Sequence, residues 1–108
     1  MVAPLDATLI ALADPTRRAI LARLALGEAR VTEIARPFDM SLNAVSKHIK
    51  LLERAELVLR RRSGKEHLLS VNPEPLDAAG AWISEQRALW TRTLDKLDAV
   101  LRAEDQPQ

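Results

Sequence analysis

The chain has 108 residues, 47% hydrophobic but only 3% aromatic, with no cysteine and a formal net charge of +1. That length predicts one domain over residues 1–108 with a core of Leu, Ala, Ile and Val, and the missing cysteine excludes disulfides, thiolate metal sites and cysteine nucleophiles. No apolar run approaches the roughly 18 to 20 residues of a membrane span, so a soluble cytoplasmic protein without membrane contact is expected.

Leu5, Leu9 and Leu12 recur at helical spacing and predict a short first helix. The second helix is better marked: Asp14 is an N-cap, Pro15 fills the first helical position where its missing N–H does no harm, and Gly27 terminates. Ile20, Leu21, Leu24 and Leu26 supply its apolar face, with Arg17, Arg18 and Arg23 toward water. These two helices occupy residues 5–26. Thr32 is read as the cap of a short helix from Glu33, which must end near Arg36 because Pro37 has no N–H to bond back to the Glu33 carbonyl. Ser41 caps a longer helix from Leu42 to about Ala55, with Met40 and Val45 spaced as a hydrophobic staple. Residues 32–55 thus read as two helices joined by a tight turn.

Leu57–Arg62, a turn at Ser63–Gly64 and Glu66–Val71 read as a β-hairpin over residues 57–71 with a basic tip. Pro73 and Pro75 are expected to break the chain before a final helix, assigned to 75–102 and regular from Leu76 to about Leu101, roughly 39 Å at 1.5 Å per residue. The polar tail from Glu104 to Gln108 is expected to fray. The fold class is mainly α with a small β component, in the order α-α-α-α-β-β-α: a winged helix-turn-helix.

The net charge hides an uneven distribution. Residues 1–40 hold five acidic and five basic residues, 41–67 hold seven Lys/Arg against three Glu, and 68–108 hold seven acidic against four basic. A basic middle can show phosphates a positive face in a chain that is nearly neutral overall. At 100° per residue, Leu42, Val45, Ile49 and Leu52 share one side of the helix from Leu42, while Asn43, Lys47, Lys50 and Arg54 cluster on the other. Asn pairs with adenine, Lys with guanine or phosphate, and Ser with either, so Ser41, Asn43, Ser46 and Lys47 in the first turns are the candidate base readers. His48 flanks this face within reach of a phosphate or base. Leu51 interrupts the polar side and is expected to pack beneath the hairpin. Arg60, Arg62 and Lys65 are the hairpin's candidate DNA contacts, and strand alternation turns Arg61 the opposite way. Taken alone, the helix face reads equally as a solvated surface and the arginine run more often as an exposed polar strand; their adjacency favours double-stranded DNA as the partner.

At this point the chain resembles the ArsR-type winged-helix repressors over nearly its whole length. The resemblance rests on ALADPTRRAILARLALGE, VTEIARPFDMSLNAVSKHIKLLERAELV, RRRSGKEHLLSVNPEPL and the final helix with its two tryptophans. It implies a homodimer built from the first and last helices, Ser41–Lys50 in the major groove, the Ser63–Glu66 tip beside it, and transcription blocked until an inducing signal releases the DNA. The metal-sensing branches carry cysteines around the helix from Glu33, or His and carboxylates on the final helix. This chain has no cysteine, and its two histidines, His48 and His67, lie in the DNA-binding half. The expectation is a metal-independent member with no cofactor.

Leu76, Ala79, Ile83, Gln86, Trp90, Leu94, Leu97 and Leu101 form a stripe on the final helix too long for one small domain to cover. Leu5, Leu9, Trp82, Ile83, Trp90, Leu94, Leu97 and Leu101 are therefore the candidate dimer contacts, with an intramolecular core as the other reading. Trp82, Arg87 and Trp90 together could hold an acidic aromatic inducer, although interface packing is the plainer account, and whether a small-molecule inducer exists stays open. A winged-helix module for protein interaction is the alternative function. No Gly-rich phosphate loop, metal-spaced cluster or Ser/His/Asp set is present, so an enzyme is not expected.

Overall fold

In a computed structural model, which describes residues 3–105, five helices surround one sheet of three antiparallel strands in the order β1-β3-β2. Helix α1 (Pro4–Leu12) and helix α2 (Pro15–Leu24) both place a proline in the first turn, where no intrahelical donor is needed. Asp14 caps α2 as expected, its Oδ2 accepting from the Arg17 backbone N–H at 3.0 Å. The buried side of α1 is Thr8 and Ala11, and the Thr8 hydroxyl donates to the Pro4 carbonyl at 3.1 Å. Leu26 does not join the apolar face of α2: the helix stops at Leu24, and Leu26 lies beyond it at 85% exposure.

Strand β1 (Ala29–Arg30) is absent from the sequence reading. Two residues carry no periodicity, and the strand exists only because β3 has a free edge to pair with, Ala29 opposite Leu69 and Arg30 opposite Leu68. This pairing also moves the start of helix α3 (Val31–Ala35). The cap is Arg30 rather than Thr32, because Arg30 leaves the strand extended and its N–H donates to the Glu33 carboxylate at 3.2 Å. The helix ends just before Pro37, at the predicted place.

Helix α4 (Leu42–Arg54) starts at Ser41, whose Oγ accepts from the Ala44 N–H at 3.1 Å. Val45, Ile49 and Leu52 are fully buried, each contributing about 1.5 to 3 kcal/mol of transfer free energy. Leu42 sits at the rim of that face and is half exposed. Leu51 packs toward α1, lining a groove with Ala7 and Ile10, instead of lying under the hairpin. The helix closes with a Schellman turn: the Leu57 N–H donates to the Leu52 carbonyl at 3.0 Å and Glu56 N–H to the Glu53 carbonyl at 2.9 Å. Glu56 holds the left-handed position at φ 61°, which a glycine normally fills.

That turn sends the chain into β2 (Val58–Ser63), which pairs with β3 (Glu66–Val71) from Val58 opposite Val71 to Ser63 opposite Glu66. The two loop residues are Gly64 and Lys65, one place later than read from sequence, and Gly64 takes φ 65°. Ile20, Leu24, Ile34, Val45, Ile49, Leu52, Leu57 and Leu69 close a single core between helices and sheet.

Helix α5 (Pro73–Asp105) has 33 residues, about 50 Å at 1.5 Å per residue. Pro73 and Pro75 do not break the chain; they occupy the first turn, where the missing N–H groups have no helical partners. Asn72 anchors the start, its Nδ2 donating to the Glu56 carbonyl at 2.8 Å and its Oδ1 accepting from the Glu74 N–H at 3.4 Å. The far end stays helical through Glu104 and Asp105, so the expected fraying does not begin there; the rest of that tail lies outside the described residues. Only the first turns of α5 meet the body, through Leu76 and the buried Ala79, and α1 packs beside them. Beyond Ala79 the helix projects, which gives the chain extents of 78 × 27 × 27 Å. Among the described residues no helix is long and apolar enough to cross a membrane.

Candidate nucleic-acid interface

The outer face of α4 is organised by the burial of the inner one. Because Val45, Ile49 and Leu52 fix the rotation of the helix, Asn43, Lys47, Lys50 and Arg54 fall within an arc of about 60° on the opposite side. All four are exposed, and among the described residues none makes an ion pair or side-chain hydrogen bond. Ser46 flanks them half-buried, and Ser41 is exposed but has its oxygen engaged in the cap. An α-helix fits the major groove, and this one presents an amide and three cations with nothing to satisfy them inside the chain.

His48 is placed differently. It turns from the outer face toward α2, with Nδ1 3.7 Å from the Asp14 carboxylate and 3.4 Å from Nη1 of Arg17. Arg17 and Arg18, expected in solvent, spend their guanidinium groups on the end of α1: Arg17 donates to the carbonyls of Ala11 and Ile10 at 2.8 and 3.0 Å, and Arg18 to that of Leu12 at 2.7 Å. A signal for this was present in the sequence. The link from Leu12 to Pro15 is too short to satisfy the last carbonyls of α1 by itself, and the first cationic side chains downstream are these two arginines.

The hairpin divides its three consecutive arginines among three tasks. Arg60 binds Glu53 of α4 through two hydrogen bonds of 2.7 and 3.1 Å, fastening the wing to the helix. Arg61, on the other side of the strand, binds Glu28 at 2.7 and 3.3 Å. Among the described residues Arg62 has no acidic partner and Lys65, exposed beside it, has none either; the Nε of Arg62 donates to the Gly64 carbonyl at 3.1 Å, which holds it at the tip. The pairings shift titration in the expected directions. The Arg61 guanidinium holds the Glu28 carboxyl below its ordinary range, the Arg30 guanidinium does the same to Glu33, and the Arg17 N–H, with lesser help from His48, does so to Asp14. The hydrogen bond it donates to Glu53 raises Arg60 above its ordinary value, and the one donated to Glu28 does so for Arg61. Arg30 is raised by Glu33 and Glu66 together. Among the described residues Lys47, Lys50 and Arg54 on α4 and Arg62 and Lys65 at the wing tip are left without a carboxylate, as are other cations on α2, on α5 and at Arg36.

The candidate dimer contacts lie elsewhere. Leu5 is half-buried and Leu9 exposed on α1, while Trp82, Ile83, Trp90, Leu94, Leu97 and Leu101 are all exposed along α5, Trp90 to 68%. Trp82, Ile83, Gln86, Arg87, Trp90 and Thr91 border an open depression of about 380 Å³ on the surface of that one helix. Among the described residues no three His, Cys, Asp or Glu side chains converge as a metal site would require.

Two short helices around a turn, the second offering an uncommitted polar face beside a basic hairpin, define a winged helix-turn-helix protein. A family model described as a helix-turn-helix domain matches residues 12–61. The chain is 43% identical over 84 residues to the HTH-type transcriptional regulator Rv2034 of Mycobacterium tuberculosis, covering 78% of this chain and 76% of that protein. It is 34% identical over 73 residues to the transcriptional repressor SdpR of Bacillus subtilis, 68% of this chain and 81% of that one. The crystal structure of an ArsR family transcriptional regulator superposes with a TM-score of 0.78 at 43% identity, over 82% of this chain and 98% of the other. A homodimeric winged helix-turn-helix DNA-binding domain from Mycobacterium bovis, solved by NMR, matches with a TM-score of 0.60 at 27% identity, over 97% of this chain and 88% of that one. The chain belongs to the ArsR family of winged helix-turn-helix transcriptional regulators.

Proposed function

We propose that two copies of this chain pair through α1 and α5 and bind a near-palindromic operator in the cytoplasm as a repressor, without a metal-sensing site and without enzymatic activity. The observation that carries the reading is the face of Asn43, Lys47, Lys50 and Arg54, exposed and without a partner among the described residues, on the helix that Glu53 and Arg60 tie to the wing bearing Arg62 and Lys65. In the complex the first turns of α4 enter the major groove, where Asn43 reads a base edge and Lys47 and Lys50 meet guanine or phosphate. Arg62 and Lys65 follow the adjoining backbone. Two-fold symmetry sets the helices about 34 Å apart, one turn of duplex. Repression is supported by the similarity to the Bacillus subtilis repressor, pairing by the similarity to the homodimeric Mycobacterium bovis domain, and metal independence by the lack of cysteine in the chain.

The test is selection of duplexes from a random-sequence library with the full chain, followed by titration of the recovered operator across a salt series. Lys47→Ala/Lys50→Ala should weaken binding and lower the slope of log K against log salt by about 1.8, the counterions of two phosphates. Binding unchanged in that double variant overturns the docking scheme, and recovery of no preferred sequence overturns the operator reading.

A further inference from the structure

We propose that Arg17 is a positioning residue for DNA binding: it ties recognition helix α4 to α1, and thereby sets the angle at which the two α4 helices of a dimer meet their half-sites. The proposal rests on the DNA-binding reading above. Its basis is the way one side chain joins three elements. Nε and Nη2 of Arg17 satisfy the Ala11 and Ile10 carbonyls at the end of α1, at 2.8 and 3.0 Å. Nη1 lies 3.4 Å from Nδ1 of His48 on α4, and the backbone N–H of the same residue is held by Asp14 at the start of α2. A guanidinium only donates, so Nδ1 of His48 accepts, and the proton of the neutral ring rests on Nε2. Asp14 stands 3.7 Å from that same Nδ1, with its Oδ2 already occupied by the Arg17 N–H.

The other contacts of α4 with the body are apolar, through Val45, Ile49 and Leu52, apart from the two hydrogen bonds that Arg60 of β2 donates to Glu53 in its last turn. Hydrophobic burial has no preferred direction, and one directed tie near the C-terminal end leaves the helix free to rock about it; a second hydrogen bond aimed along a fixed vector stops it. The body on the other side of the joint is α1, which packs against the base of α5. A rigid path therefore runs from the projecting helix through α1 and Arg17 to the DNA-reading helix. Arg17 itself has no donor to spare for phosphate contact in this arrangement beyond the second hydrogens of its two terminal nitrogens, and it lies away from the Asn43–Lys47–Lys50–Arg54 arc.

An angular constraint is read most directly by changing the distance between half-sites, because one base pair moves a half-site by about 3.4 Å and turns it by about 35°. The operator selected with the wild-type chain is rebuilt with its half-sites one and two base pairs closer or farther apart, and each duplex is titrated with wild type, Arg17→Lys and Arg17→Met. Arg17→Met keeps the aliphatic stem and loses every donor. It should bind the native spacing about tenfold more weakly, show a smaller penalty than wild type for altered spacing, and keep the wild-type salt slope. Arg17→Lys, with one donor group, should fall between. If Arg17→Met retains the wild-type spacing profile, or if it loses affinity equally at every spacing with a lower salt slope, the joint is refuted. Long-range 15N–1H correlation of His48 in the wild-type chain, at a pH where the ring is neutral, gives a second reading that does not depend on a variant folding. The Nε2–H tautomer is expected, and an Nδ1–H tautomer overturns the assignment. A wild-type chain that selects no sequence at all defeats the DNA-binding reading itself, and this proposal with it.

Discussion

Helices α4 and α5 both expose a long face to solvent, but the two faces are opposite in kind. On α4 the apolar side is consumed by the core and the outer side carries an amide and three cations, polar groups that water satisfies and that, in the proposed complex, phosphates and bases take over. On α5 the body covers Leu76 and Ala79, and the remaining stripe from Ile83 through Trp90 to Leu101 stays open with Trp82 beside it. An apolar surface of that length on a small chain costs free energy as it stands and marks a protein partner. Exposure therefore means different things at the two sites: completeness awaiting a ligand on α4, incompleteness of the subunit on α5.

The contrast breaks most visibly where both helices present an aliphatic residue. Ile49→Ala on α4 opens a cavity in the one core of the chain and should cost about 2 to 5 kcal/mol of unfolding free energy, independent of protein concentration. Leu94→Ala on α5 removes a side chain that is 57% exposed within the subunit, so any loss of stability should vanish on dilution. Denaturant melts of both variants over a hundredfold range of concentration check this. A concentration-independent loss at Leu94 would place α5 in an intramolecular core and erase the distinction.

A sharper version charges the stripe. Leu94→Glu/Leu97→Glu puts two carboxylates into the surface that pairing must desolvate, and association should weaken at least about a hundredfold. Sedimentation should then report the mass of a single chain, while the circular dichroism of the helices is retained because the core from Ile20 to Leu69 is untouched. Operator affinity should fall as well, since one subunit holds only one half-site. A persistent dimer in this variant would move the interface away from α5.

Much of this division was legible in the residues. Asp14 and Ser41 cap the helices they were expected to cap, Pro37 stops α3 by removing an N–H, and the 3.6-residue period of Val45, Ile49 and Leu52 sets the outward arc of α4. These signals are local, and local chemistry suffices to read them. What escaped is what depends on how elements are placed against one another. Strand β1 needs the edge of β3, Arg61 finds Glu28 across the sheet, Arg60 reaches Glu53 only once the turn after α4 lays β2 beside the helix, and Leu51 is claimed by α1. The prolines at 73 and 75 mislead for a different reason: the same missing N–H that interrupts a helix is harmless in its first turn, and only the position of the helix start decides which applies.

A smaller effect tests the hinge between the two regions. Glu56 sits at φ 61°, a left-handed conformation that costs a residue with a Cβ about 1 kcal/mol, and its carbonyl receives the Asn72 side chain that starts α5. Glu56→Gly should relieve that strain and stabilise the chain by up to about 1 kcal/mol, since the turn itself already holds the loop in place. Thermal melts read the change. A loss of stability would mean that the Glu56 side chain contributes more than its backbone strain takes away.

The smallest expected effect concerns the wing. The Glu28 carboxyl is held below its ordinary range chiefly by the hydrogen bond from Arg61, and both groups are open to solvent. A carboxylate whose folded value lies below its unfolded one binds fewer protons in the native state, so it stabilises the fold above the ordinary glutamate range and loses that contribution as pH falls through the depressed value. Glu28→Gln cannot follow this titration. Its melting temperature should lie slightly below that of the wild type near neutral pH, and the gap should close as the pH is taken below about 4, the region where free glutamate protonates. Added salt should narrow the gap at neutral pH too, because an exposed pair is screened within about a Debye length. Operator affinity should barely change, because Arg61 faces away from the side of the strand that carries Arg60 and Arg62. A large loss of DNA binding in Glu28→Gln would show instead that this ion pair holds the wing tip at the duplex, and would extend the DNA-reading region beyond α4 and the Arg62–Lys65 turn.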